Sequence, residues 1–135
     1  MALNSNGNQP LLEINDLTIG FADARGILLA ADRINLRLFR NQTLGLLGES
    51  GCGKSVSMRS ILGLVPYPGE VIGGSVLWEG QDLSELSRSE MQKIRGKEIS
   101  MIFQDPTSCL NPVYTIGNQI VETLKIKLKM NSHEA

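Results

Sequence analysis

Apolar and polar residues alternate in two stretches of the first third of the chain, residues 11–21 and 28–39. Residues 11–21 predict one or two strand pieces. Their apolar positions are Leu12, Ile14, Leu17, Ile19 and Phe21. Residues 28–39 predict a strand with one face in water, because apolar and polar side chains alternate there. Residues 22–26 contain Asp and Gly and predict the turn between the two strands.

A short buried strand is predicted at residues 43–47, Thr-Leu-Gly-Leu-Leu. The apolar spacing then changes from that of a strand to that of a helix. Met58, Ile61, Leu62 and Val65 recur at i, i+3, i+4 and i+7, which predicts an amphipathic helix. The sequence Pro-Tyr-Pro-Gly at residues 66–69 follows this helix and predicts its stop.

The second half of the chain predicts one more strand and two more helices. Residues 73–80 form a glycine-bounded strand pattern, and residues 87–90 form a capping box before a short helix. Residues 98–103 are apolar and rich in residues that favour strands. Residues 116–130 keep helical spacing, and their lysines at 125, 127 and 129 predict a solvated side, with a membrane-surface role as the alternative.

The eight residues between the predicted strand and helix fit the phosphate-binding pattern G-x-x-x-x-G-K-[ST] at every required position. They are Gly48, Glu49, Ser50, Gly51, Cys52, Gly53, Lys54 and Ser55. The glycines allow successive N–H groups to turn towards phosphate oxygens. Lys54 supplies a charge for the β- and γ-phosphates, and the Ser55 hydroxyl suits Mg²⁺. Strand, glycine loop and helix together predict a nucleotide-phosphate site.

Composition and charge argue against several other classes of protein. The net charge of −1 disfavours a general nucleic-acid-binding surface, which normally carries a basic excess. The sequence contains no apolar run of 18 residues that would span a membrane. Residues 1–10 are rich in Asn, Ser, Gly and Gln, and they predict a disordered lead without the features of a signal peptide. The two cysteines, Cys52 and Cys109, lack metal-ligand spacing, and a chain of this size needs no disulfide. Both are therefore interpreted as small side chains in a reducing cytosol.

Several segments resemble the ATP-binding subunits of ABC transporters. The chain resembles that family in the phosphate loop, in an aromatic residue after the first strand, Phe21, and in residues 101–106, Met-Ile-Phe-Gln-Asp-Pro. It resembles the dipeptide, oligopeptide and nickel importer group in four segments, which are residues 48–56, 61–64, 93–99 and 110–117. The resemblance implies an α/β fold of the P-loop NTPase class. Residues 11–135 would hold its N-terminal antiparallel β part and the start of the RecA-like core.

The resemblance also implies a role for each matching residue. Phe21 would stack on adenine, although a core phenylalanine on a strand is the alternative. Residues 48–55 with Val56 would bind ATP and Mg²⁺, and Lys54 would act in catalysis. Gln104 would be the Q-loop glutamine, which approaches Mg²⁺ and orders the attacking water. The loop that carries Gln104 would sense transmembrane permease subunits, and a second ATPase subunit and an external binding protein would complete the importer. The location implied is cytoplasmic, peripheral on the inner face of the membrane.

The sequence departs from the family at two places. Residues 107–109 read Thr-Ser-Cys where the group usually has Met-Thr-Ser. The Walker B carboxylates, the signature and the switch histidine are not found in the 135 residues, and His133 has no strand before it. The chain is therefore expected to be incomplete as a domain, to bind nucleotide weakly and to lack turnover by itself. It is also expected to leave its phosphate-loop strand unpaired.

Two other functions remain open at this level. A stand-alone nucleotide-binding regulator, or a remnant without turnover, would carry the same phosphate loop. A soluble ABC ATPase of DNA repair or chromosome organisation would also carry it, but the near-neutral charge and residues 104–117 argue against that class. The importer interpretation explains the largest number of segments.

Overall fold

The computed structural model describes residues 9–105 and 109–135. Most of the predicted disordered lead, residues 1–8, lies outside this part of the chain. The chain divides into two compact units, of which the first ends at Ser87 and the second begins at Arg88.

The first unit is built on a four-stranded antiparallel sheet. Its strands are β1 (Leu12–Asp23), β2 (Gly26–Leu38), β3 (Gly69–Trp78) and β4 (Gln81–Asp82), in the order β2-β1-β3-β4. The strands predicted at 11–21, 28–39 and 73–80 are therefore confirmed, and β3 begins four residues earlier than predicted. A short 3-10 helix, Leu83–Glu85, follows β4.

The central strand β1 supplies the three most deeply buried side chains, Ile14, Leu17 and Ile19. Their spacing changes from even to odd positions between Ile14 and Leu17. The pairing of β1 with β2, and that with β3, both shift register at this place. A bulge at Asn15 and Asp16 therefore allows both halves of β1 to bury their apolar residues on one face.

The irregularity crosses three neighbouring strands and is called the crease, defined by Asp16, Arg33 and Gly74. Their φ angles are 47°, 46° and 82°, which is the left-handed region. Asn35 ties two of the strands together at this level. Its amide nitrogen donates to Asp16 Oδ1 at 2.9 Å and to Arg33 O at 3.1 Å, and its Oδ1 accepts from Asp16 N at 3.1 Å. The side chain of Asn35 thus replaces ladder bonds that the bulges remove.

Helix α1 (Lys54–Ile61) follows the phosphate loop and contacts β1 and β2. The prediction of a helix through Val65 is wrong at its C-terminal end. Gly63 adopts a left-handed conformation with φ 59°. Leu64 N donates to Arg59 O, and Gly63 N donates to Ser60 O, which is the Schellman pattern. This local ending stops the helix five residues before Pro66, although the apolar spacing continues.

The buried strand predicted at residues 43–47 does not form. The segment has no regular secondary structure, and all five residues are exposed, Leu47 at 98%. A strand is stable only where neighbouring strands accept its hydrogen bonds, and the four strands of the sheet pair with one another instead. The segment leaves three apolar side chains exposed, which are those of Leu44, Leu46 and Leu47.

The second unit contains helices α2 (Arg88–Ile94) and α3 (Ile116–Leu128), and both predicted helices are confirmed. Residues 98–103 do not form a strand. Among the described residues of this unit, β pairing is limited to an isolated bridge between Arg95 and Ile99. Ile102 is 93% exposed, so the apolar character of this segment is not matched by burial.

The prediction of a solvated lysine row on α3 is wrong for Lys127. Its ammonium donates to Gln92 O in the last turn of α2 at 2.7 Å, and the side chain is half-buried. A carbonyl in the last turn of a helix has no intrahelical partner and lies at the negative end of the helix dipole. The ammonium of Lys127 donates to that carbonyl, and its positive charge is favourable beside that end of the dipole. The contact fastens α3 to α2.

A side-chain clamp fixes the turn before α3. Gln119 Oε1 accepts from Asn111 N at 2.9 Å, and Gln119 Nε2 donates to Asn111 O and Tyr114 O, each at 3.0 Å. Thr115 accepts from Asn118 N and caps the helix. This turn lies in residues 110–117, one of the four segments that resemble the dipeptide, oligopeptide and nickel importer group.

Candidate nucleotide-binding site

The phosphate loop, residues 48–55, connects the exposed segment 43–47 to helix α1. Gly51 and Gly53 have φ angles of 82° and 90°. Residues with a side chain rarely adopt such φ angles, so the two glycines allow backbone turns of the kind that a phosphate-binding loop requires. Glu49, Ser50 and Cys52 form the exposed rim of the loop, where Cys52 N donates to Glu49 O at 3.4 Å.

Gly53 lies against the backbone of β2. A Cβ at this position would lie 2.2 Å from Ala30 O, which is far inside van der Waals contact. The register between β1 and β2 shifts between the pairs Ile19–Ala31 and Gly20–Leu29, which leaves Ala30 as an extra residue in β2. The bulge at Ala30 therefore holds the phosphate loop at its last glycine.

The ammonium of Lys54 lies within its own loop. Its Nζ donates to Glu49 O at 2.6 Å, to Gly48 O at 2.7 Å and to Cys52 Sγ at 3.3 Å. These contacts use all three donors of the ammonium. To reach a phosphate oxygen, Lys54 must exchange at least one of these partners, and the remaining ones keep it at the mouth of the loop.

The N-terminus of α1 is suited to an anion. The N-cap residue is Gly53, which has no side chain that could accept from the first N–H groups, and the first turn contains no acidic residue. The first backbone N–H groups of a helix have no intrahelical acceptor and carry the positive end of its dipole. Ser55 and Val56 are the second and third residues of the helix, so their N–H groups belong to this set. A phosphate is the anion that such a helix start commonly binds.

Ser55 has a suitable donor atom for Mg²⁺. Ser55 is exposed, and its hydroxyl makes no hydrogen bond to any described residue. Mg²⁺ prefers oxygen ligands and keeps several waters, so a single hydroxyl beside bound phosphates fits its chemistry. Within residues 9–105 and 109–135 there is no group of three His, Cys, Asp or Glu side chains that would hold a metal independently of nucleotide.

Phe21 lies near the end of β1 and is half-buried, between Leu28 of β2 and Gly69 of β3. Its ring packs over Gly69, where a Cβ would meet ring atoms at 2.6 Å. The side chain is thus neither a fully buried core residue nor a free one. The sequence predicted Gly69 as part of a helix stop and not as a site residue, because no local pattern shows that an aromatic ring of another strand covers it.

Gln104 lies in the second unit, in a bend with Asp105, and is exposed. The structure therefore describes the phosphate loop and Phe21 within one unit and Gln104 within the other. Residues 107 and 108 of the group's variant segment lie outside the described residues. The role of Gln104 near Mg²⁺ stays a prediction.

No described helix is long and apolar enough to cross a membrane. Helix α3 exposes the apolar residues Ile116, Ile120, Ile126 and Leu128. None of the residues of α3 is buried.

Comparison with known proteins extends the resemblance across most of the chain. The family model described as ABC transporter matches residues 31–134. The oligopeptide transport ATP-binding protein of Bacillus subtilis is 49% identical over 115 residues, which are 84% of this chain and 32% of that protein. The dipeptide transport ATP-binding protein of Escherichia coli is 43% identical over 116 residues, 86% of this chain and 36% of that protein.

A dipeptide transport ATP-binding protein of Bacillus subtilis is 41% identical over 128 residues, 94% of this chain and 38% of that protein. The chain therefore spans about a third of the length of the curated relatives it matches. The family match confirms the P-loop NTPase fold class that the phosphate loop and the resemblance predicted.

Proposed function

Because the chain belongs to the ABC transporter family, we propose that it is the ATP-binding part of an importer that takes up peptides or nickel. The observation that carries the proposal is the arrangement at residues 48–55. A lysine ammonium lies inside a glycine loop that leads into an uncapped helix N-terminus. This arrangement supplies charge and N–H donors for the phosphates of ATP.

Each residue of the site has a part in this function. The N–H groups of the loop and of Ser55 and Val56 bind phosphate oxygens, and Lys54 neutralises the β- and γ-phosphates. Bound Mg²⁺ would be held by the Ser55 hydroxyl and would supply charge neutralisation of the transferring phosphoryl group. Gln104 orients the attacking water, and Phe21 stacks on the adenine. Positioning and electrostatics of this kind supply most of the acceleration in phosphoryl transfer.

The importer also requires partners. The relatives named for dipeptide and oligopeptide transport support peptides as the cargo. We assign to this protein permease subunits in the membrane, a second ATPase subunit and an external substrate-binding protein that acts through the permease. The protein then lies on the cytoplasmic face of the membrane, held by the permease. Turnover is expected from the assembled importer, and the 135 residues alone are expected to bind nucleotide without hydrolysing it at a comparable rate.

The proposal is tested in the cells that carry the gene. Lys54→Ala is introduced on the chromosome, and uptake of a labelled dipeptide, a labelled tetrapeptide and nickel is compared with uptake of a free amino acid. We expect the variant to lose uptake of at least one of the first three and to keep uptake of the amino acid. Lys125→Ala, a change of an exposed lysine on α3, is the control and leaves uptake unchanged. Unchanged uptake of both peptides and nickel in Lys54→Ala cells would refute the proposed function.

A further inference from the structure

The ring of Phe21 occupies a space that only a glycine on the neighbouring strand leaves open. Phe21 and Gly69 are directly opposite each other in the pairing of β1 with β3. A Cβ at position 69 would lie 2.6 Å from both Cε1 and Cζ of the ring. Directly opposite residues project their side chains from the same face of an antiparallel sheet. The ring therefore leans across β3 and covers Gly69, as aromatic residues do with glycines in sheets.

The backbone conformation of Gly69 does not explain why a glycine stands there. Its φ lies outside the left-handed region, so an alanine would adopt the same backbone angles. Gly69 is also buried, and Val65 Cγ1 would lie 2.9 Å from the added Cβ. The space is thus bounded by the ring on one side and by Val65 on another. The absence of a side chain at position 69 therefore allows the ring of Phe21 to lie where it does.

We propose that Gly69 is a positioning residue for the nucleotide base, because it sets where the ring of Phe21 lies. The inference rests on the proposed function, in which that ring stacks on adenine. Gly69 itself does not touch the nucleotide. A methyl group at position 69 pushes the ring away from β3, and stacking depends on ring offset and distance. The phosphate loop does not depend on this contact, since its own supports are Ala30 and the loop backbone.

The test separates the base from the phosphates. Mg-ATP and Mg-tripolyphosphate are each titrated into the full chain by calorimetry. The variants are Gly69→Ala, Phe21→Ala and the double variant. Loss of base–aromatic stacking typically weakens binding by about tenfold or more. We expect Phe21→Ala to weaken ATP binding about tenfold and Gly69→Ala to weaken it several-fold. Both variants keep the wild-type affinity for tripolyphosphate.

The double variant tests whether Gly69 acts through the ring. If it does, Gly69→Ala has no further effect once Phe21 is alanine, and the double variant equals Phe21→Ala. Gly73→Ala is the matched control on the same strand, because a Cβ there meets Thr18 Cβ at an ordinary 3.7 Å. It leaves both affinities unchanged.

The outcomes are distinct. A wild-type chain that binds neither ligand refutes the proposed function and the inference with it. Equal losses of ATP and tripolyphosphate affinity in Gly69→Ala, or no loss of either, overturn the inference alone. A further loss in the double variant overturns it as well. If Gly69→Ala is too unstable to titrate, the titration uses Gly69→Ala with Val65→Ala, compared with Val65→Ala alone. That pair keeps the methyl against the ring and removes the crowding at Val65.

Discussion

At the scale of single residues, the glycines of the phosphate loop are required for different reasons. Gly51 has a left-handed φ and no heavy atom within 4 Å of its missing Cβ. Gly53 has a similar φ, but its missing Cβ would lie 2.2 Å from Ala30 O, a backbone atom that cannot turn aside. The sequence predicted that both glycines turn the loop backbone towards phosphate, although only Gly53 is a required position of the motif. It did not predict that β2 also requires one of them, because that contact joins residues far apart in sequence.

The two glycines should therefore differ in stability when replaced by alanine. A left-handed conformation costs a side-chain-bearing residue about 1–2 kcal/mol. Gly51→Ala is expected to lower the free energy of unfolding by about that amount. Gly53→Ala adds the contact with Ala30 and is expected to lose more than about 3 kcal/mol. Urea unfolding followed by circular dichroism measures both. Equal losses would contradict the role of Ala30 as a support of the loop.

At the scale of elements, the crease allows one long strand to serve the core along its whole length. Without the bulge at Asp16, residues 12 and 14 would share a face with Asp16, Thr18 and Gly20, and the apolar residues 17, 19 and 21 would point to the other side. The polar groups freed at the crease are satisfied by two side chains. One is Asn35, and the other is Thr18, whose Oγ1 accepts from Arg33 N at 3.2 Å.

Replacing Asn35 by alanine removes three hydrogen bonds at the crease. All three are exposed, so water replaces part of their contribution, and the free energy of unfolding is expected to fall by about 1–2 kcal/mol. The matched control is Arg37→Ala on the same strand. It removes the ion pair with Glu13 at 2.9 Å, a surface pair that contributes about 0.5 kcal/mol. Thermal unfolding compares the two variants, and an equal or larger loss in Arg37→Ala would contradict the role of Asn35.

The elements that the sequence predicted well are those determined by local signals. The alternation in residues 11–21 and 28–39, the capping box at 87–90 and the spacing in 116–128 each led to the element that forms. Residues 43–47 failed because an apolar run becomes a strand only beside partner strands. The end of α1 was missed because Gly63 and its two hydrogen bonds outweigh the continued apolar spacing. Lys127 was misplaced because its partner lies on another helix.

At the scale of the whole molecule, apolar side chains are exposed on the segment that leads into the phosphate loop. Leu44, Leu46 and Leu47 are 43%, 41% and 98% exposed. Clustered exposed apolar residues favour association. The phosphate loop thus lies against the sheet at Gly53 and is preceded by a segment with little burial of its own.

Leu47→Gln should reduce this association without destabilising the chain. The side chain has almost no burial to lose, so the free energy of unfolding should change by less than about 0.5 kcal/mol. Light scattering at increasing protein concentration should show less aggregation than in the wild type. Leu17→Gln is the contrast, because Leu17 is fully buried and its replacement should unfold the chain. Undiminished aggregation in Leu47→Gln would show that the association arises elsewhere.

The proposed function requires that residues 48–55 bind the phosphates of a nucleotide through Lys54. Its most direct test is calorimetric titration of the purified chain with Mg-ATP, with Lys54→Ala beside the wild type and Lys125→Ala as the charge-matched control. We predict that the wild type and Lys125→Ala bind one Mg-ATP with the same affinity and that Lys54→Ala binds at least tenfold more weakly, a difference of about 1.4 kcal/mol. Binding by Lys54→Ala as tight as that of the wild type, or no binding by the wild type, would show that residues 48–55 do not bind nucleotide through Lys54.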